Sequence, residues 1–187
     1  MVRRLSMFIL RLWGWKISGT LPSEKKYVII VAPHTSNWDY VIGQLYYLSS
    51  SIKVHVLIKR ELFCFPLGLL LRALGGIPVD RHKKTDIVEQ MIREFRERDS
   101  FILTITPEGT RKRVSEWKTG FHRIAAGAGV PVLPGYFDYR SKIVGTGDLF
   151  YLTGDLESDM LKVKKFYSGF HPKYPGNFST GLPGPHD

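Results

Sequence analysis

Short apolar runs alternate with amphipathic stretches along this chain. Residues 27–32, 53–58, 101–106 and 130–136 are dense in Val, Ile, Leu, Tyr and Phe, and each predicts a strand. Residues 86–98 put Ile87, Met91, Ile92 and Phe95 on one stripe with charges elsewhere, which predicts an amphipathic helix. The segment after Gly120 carries Phe121, Ile124, Ala125 and Ala126 and predicts a helix ending at Gly127 or Gly129. A last helix is expected over residues 157–167, and the Gly- and Pro-rich stretch from Ser168 predicts an irregular or partly disordered tail. The order is helix, strand, helix, strand, helix, short strand, helix, strand, helix, strand. Such alternation predicts an α/β fold: a single domain with a mixed sheet flanked by helices. The expected division is an N-terminal interfacial or packing helix over 1–20, the main domain over 21–167 and the tail over 168–187.

Two apolar segments have more than one reading. Residues 5–15 are apolar and aromatic, with Arg3, Arg4, Arg11 and Lys16 around them. They are too short for a membrane span, which needs about 20 apolar residues. They suit an interfacial helix, with Trp13 and Trp15 at headgroup level and arginines reaching anionic lipid, or a first helix packed on the core. Residues 62–74 contain Pro66, Gly68 and Arg72, which spoil a membrane helix and leave a buried helix or a lining for an acyl chain.

Composition narrows the class. The chain has 187 residues, 43% hydrophobic, which suits one compact domain. Its single cysteine, Cys64, excludes an intramolecular disulfide; between Phe63 and Phe65 it is expected to pack rather than to act as a nucleophile. The formal net charge of +10 favours acidic partners. No zinc-ligand spacing, Walker-type loop or nucleic-acid motif is evident, and nucleic acid is not an expected partner.

The candidate chemistry stands where apolar runs end. His34-Thr35-Ser36-Asn37-Trp38-Asp39 follows the first predicted strand. Neutral imidazole can take a proton from a hydroxyl near pH 7, and a carboxylate on its other nitrogen would fix the tautomer. Residues five apart do not share a face of one straight helix. The pairing therefore needs His34 before the helix and Asp39 in its first turns. Ser36 and Asp39 also match a helix-capping pattern, a role compatible with pairing. The third predicted strand runs into Pro107-Glu108-Gly109-Thr110-Arg111-Lys112-Arg113, where Pro107 stops the ladder and the cations offer an anion site. His55 reads as structural and His82 as an exposed turn near the candidate phosphate site. His122 lies on a helix after the basic turn, while His171 and His186 fall in the tail.

His34-x-x-x-x-Asp39 followed by Pro107-Glu108-Gly109-Thr110-Arg111 resembles the glycerolipid acyltransferase family, of the 1-acylglycerol-3-phosphate acyltransferase type. Residues 75–81 and 130–135 resemble two further blocks of that family, in order, and the likeness spans residues 28–136. It implies an acyltransferase-like fold. His34 would be the general base, oriented by Asp39. Glu108, Gly109, Thr110 and Arg111 would shape the acceptor site, with Arg81 near a phosphate. The implied reaction moves a fatty acyl group to a lysophospholipid-type hydroxyl, lysophosphatidate above all. Acyl-CoA or acyl carrier protein would be co-substrate, with no other cofactor and no metal. The implied place is peripheral, on an anionic surface at the cytoplasmic face of a membrane. Thr106 and Lys112 depart from the family pattern in the acceptor region. A non-catalytic basic module that binds anionic lipid or nucleic acid, and an acyl-ester hydrolase, are the other readings.

Overall fold

The structure, a computed structural model, describes residues 1–80 and 84–182. Helix α1 (Val2–Leu12) leads into a short strand β1 (Lys16–Ser18), then β2 (Lys26–Ala32), α2 (Asn37–Ser49), β3 (His55–Lys59), α3 (Leu67–Ala73) and β4 (Gly76–Val79). The second half runs α4 (Lys84–Glu97), β5 (Phe101–Ile105), α5 (Gly120–Ala128), β6 (Val132–Asp138), β7 (Ile143–Thr146) and α6 (Leu156–Tyr167). The strands form one seven-stranded sheet in the order β1-β7-β6-β2-β5-β3-β4. Pairings are parallel except for antiparallel β6–β7, so the sheet is mixed, as expected.

β2 shows why the strongest apolar run is a central strand. Val28, Ile30 and Ala32 join the core on one face, and Tyr27, Ile29 and Val31 join the core on the other. A strand covered on both faces has no polar alternation to show. The first core takes in Met91 and Phe95 of α4, Phe121 and Ile124 of α5, and Tyr167 of α6. The second takes in Leu10 of α1 and Ile42, Tyr46 and Tyr47 of α2. Tyr167 is fully buried and its hydroxyl donates to the carbonyls of Ile30 (2.6 Å) and Gly135 (3.0 Å), tying α6 to two neighbouring strands. Gly75 turns α3 into β4 at φ +84, where any side chain would strike the Val54 carbonyl.

Several expectations change. β1 and β7 were not predicted. Residues 62–74 are not a buried helix: α3 covers only Leu67–Ala73, buries Gly68 and Leu71, and leaves Leu62, Phe65, Leu69 and Leu70 exposed. Cys64 is exposed rather than packed. Residues 169–182 are irregular yet docked. Phe170 stacks on Tyr136 at 4.1 Å, Phe178 packs against Trp117, and the Trp117 indole donates to the Ser179 carbonyl at 2.9 Å.

Candidate active site

Three adjacent strands, β6, β2 and β5, run parallel and end at the same edge of the sheet. From β2 the chain passes through α2 toward β3 on one side, while β6 turns back to β7 on the other. The carboxyl edge at such a reversal is where open α/β sheets bind ligands. Each strand delivers one part of the cluster.

β2 delivers the histidine. His34 follows its end, and Ser36 caps α2 from an extended backbone. The Ser36 hydroxyl accepts from the Trp38 N–H at 3.2 Å, while Asp39 Oδ2 accepts from the Thr35 and Ser36 N–H groups at 2.8 Å each. These bonds fold the segment back, so that His34 Nδ1 lies 3.2 Å from Asp39 Oδ2. The cap and the pairing use the same carboxylate, which is 1% exposed. With Nδ1–H donating to Asp39, the imidazole lone pair sits on Nε2, the nitrogen left to meet a hydroxyl.

β5 delivers the second loop. Glu108 is buried, and its Oε2 accepts the His34 backbone N–H at 2.8 Å. Glu108 was expected to help shape the acceptor site; in the structure this oxygen ties its loop to the histidine loop. Burial pushes the Glu108 carboxyl up to about 8, opposed by the His34 N–H and reinforced by the Asp39 charge. Gly109 adopts φ +65 with its N–H on the Thr106 carbonyl (3.0 Å), and a side chain there would run into Lys118. Thr110 is half-buried and its hydroxyl accepts the Lys112 N–H at 3.3 Å. Arg111, Lys112 and Arg113 are exposed beyond it. Arg81, expected beside a phosphate, lies outside the described residues, as does His82.

β6 delivers a residue that no motif pointed to. The Tyr139 hydroxyl donates to Asp39 Oδ1 at 2.6 Å. Burial and this bond both hold the phenol well above its ordinary range.

Residues 16–138 match the sequence model of the acyltransferase family. That span is well over half of the chain. This chain belongs to the acyltransferase family. The fold of this acyltransferase is similar to that of the 1-acyl-sn-glycerophosphate (LPA) acyltransferase PlsC from Thermotoga maritima, with a TM-score of 0.63 and 16% identity over 89% of this chain and 75% of that one. No curated protein matches the chain.

His55 and His122 of the acyltransferase are engaged by other partners. His55 is buried at the start of β3 with Nδ1 3.3 Å from the Ile102 carbonyl, and burial lowers its pKa. His122 Nε2 lies 2.9 Å from Asp159 Oδ2, and that carboxylate also accepts from Thr153, so the pair ties α5 to α6. Among the described residues, no cluster of three or more His, Cys, Asp or Glu side chains could hold a metal ion. No helix among them is long and apolar enough to cross a membrane.

Proposed function

We propose that this acyltransferase moves a fatty acyl group from an acyl thioester, acyl-CoA or acyl carrier protein, to the hydroxyl of a lysophosphatidate-type acceptor. The observation that carries the reading is the His34–Asp39 contact at the carboxyl edge of β2. His34 Nε2 takes the hydroxyl proton, and the acceptor oxygen bonds to the thioester carbonyl carbon. When the tetrahedral intermediate collapses, the C–S bond breaks and the thiolate recovers the proton from the imidazolium. Asp39 stabilises the imidazolium in between. Arg111 and its neighbours Lys112 and Arg113 supply cations for an acceptor phosphate on the adjacent loop, where Arg grips phosphate bidentately. The acceptor in the Thermotoga maritima protein's name, LPA, supports the acceptor class.

The reaction is placed at an anionic membrane surface. Leu5, Phe8 and Leu12 form an exposed stripe on α1, flanked by Arg4 and Arg11, and Trp13 stands beside it. An amphipathic helix with basic flanks suits an anionic interface. The test is purified protein with acyl-CoA or acyl carrier protein as donor, with and without lysophosphatidate. Acylated product only when acceptor is present is the expected result. Free fatty acid at the same rate without acceptor would make the protein a hydrolase, and no turnover of either donor would remove the reading.

A further inference from the structure

The pairing of His34 with Asp39 leaves one carboxylate oxygen unaccounted for in the sequence, and the structure gives it a partner. Asp39 Oδ2 serves the histidine and two backbone N–H groups; Oδ1 receives the Tyr139 hydroxyl. At 2.6 Å this contact has the length of a charge-assisted O–H···O⁻ bond. The carboxylate is 1% exposed, so an oxygen stripped of its donor there has little access to water. Tyr139 is itself held from two sides. Its N–H donates to the His171 carbonyl at 2.8 Å, and its ring meets Trp15 edge-on at 5.0 Å.

We propose that Tyr139 is the positioning residue of the His34–Asp39 pair: its hydroxyl holds the Asp39 carboxylate turned so that Oδ2 faces the imidazole. The proposal rests on His34 acting as base. Tyr139 acts through Asp39 and not on the substrate. Trp15 closes the end of α1, its N–H on the Leu10 carbonyl, so the phenol also joins the N-terminal segment to the catalytic loop.

The test is a double-mutant cycle of wild type, Tyr139→Phe, Asp39→Asn and the double variant, assayed with palmitoyl-CoA and lysophosphatidate. Each is read at a temperature where circular dichroism shows it folded. Tyr139→Phe is expected to lower kcat about tenfold or more while leaving both KM values within about twofold. In the Asp39→Asn background the same change should cost less than about twofold, because coupled residues fail to add. A second readout needs no turnover: the downfield Nδ1–H proton resonance of His34, assigned by its loss in His34→Ala, should move in Tyr139→Phe. Equal costs in both backgrounds, or an unmoved resonance, would overturn the proposal. If His34→Ala keeps full turnover, the base reading itself falls. If His34→Ala is inactive and Tyr139→Phe is silent, only the role of Tyr139 falls.

Discussion

A histidine and a carboxylate five positions apart meet here because the N-terminal cap of α2 turns the chain between them. His34 meets Glu108 through its backbone N–H, which alanine also supplies. His34→Ala should therefore keep the fold, seen as an unchanged thermal midpoint, while turnover drops by about 10²–10⁴, the usual worth of a general base. Near-normal turnover would end the mechanism. Arg111→Ala should raise KM for lysophosphatidate by about tenfold or more and leave KM for the thioester alone, since a charge-assisted contact is worth about 1.5–3 kcal/mol and each 1.4 kcal/mol is about tenfold. Equal changes in both would remove the phosphate role. Glu108 predicts a pH effect. Its folded pKa of about 8 stands above the ordinary 4.5, so the folded state holds a proton that the unfolded state releases. Stability from this group is full below 4.5 and is lost as pH rises toward about 8. Glu108→Gln removes that dependence. The melting temperature of the variant relative to wild type should climb across this window and level off above it; a constant difference across the pH series would contradict the assignment.

Helix α1 packs one face on the core and leaves an apolar stripe exposed. Ser6 and Leu10 pack inward, while Leu5, Phe8 and Leu12 face out. Deleting the segment would strip Leu10 and Trp15 from the core. The cleaner variant is Leu5→Ser, Phe8→Ser and Leu12→Ser together. Binding to anionic vesicles, measured by co-sedimentation, should fall by at least tenfold with the melting temperature little changed, because each buried CH₂ contributes about 0.8 kcal/mol to membrane binding. Undiminished binding would move the docking surface elsewhere. Elements with a strong physical pattern were legible in the sequence. β2 and β5 announce themselves by burial on both faces, and α4 by its stripe. β1 has three residues, two of them exposed, and pairs at the sheet edge, so it offers no run to read. Residues 62–74 misled because apolar composition does not say which way a side chain points. His34 and Asp39 were legible through local spacing. Tyr139 is 100 positions from Asp39 and belongs to no motif, so only the strand order could bring it in. The burial of Glu108 was hidden likewise, since its partner is a backbone N–H 74 positions away.

On the scale of the whole molecule, the tail returns to the site. The Tyr174 N–H donates to the Thr35 hydroxyl at 3.2 Å, and Lys173 lies over Trp38, which also meets Trp13 edge-on. Both ends of the described chain thus converge on the loop that carries His34. A chain ending at Tyr167 loses the Tyr174 and Ser179 hydrogen bonds and the Phe170 and Phe178 contacts. At about 1 kcal/mol per hydrogen bond, with apolar contacts added, its melting temperature should fall by at least about 4–8 °C. Turnover should fall further than the unfolded fraction explains; a truncated enzyme with full turnover would separate the tail from the site. The bond between Tyr174 and Thr35 joins residues 139 positions apart. During synthesis, at about 5–20 residues per second, Tyr174 is added on the order of ten seconds after Thr35. The loop that carries His34 is thus made well before its Tyr174 partner, and a nascent chain carries this histidine for seconds before the loop is fully held.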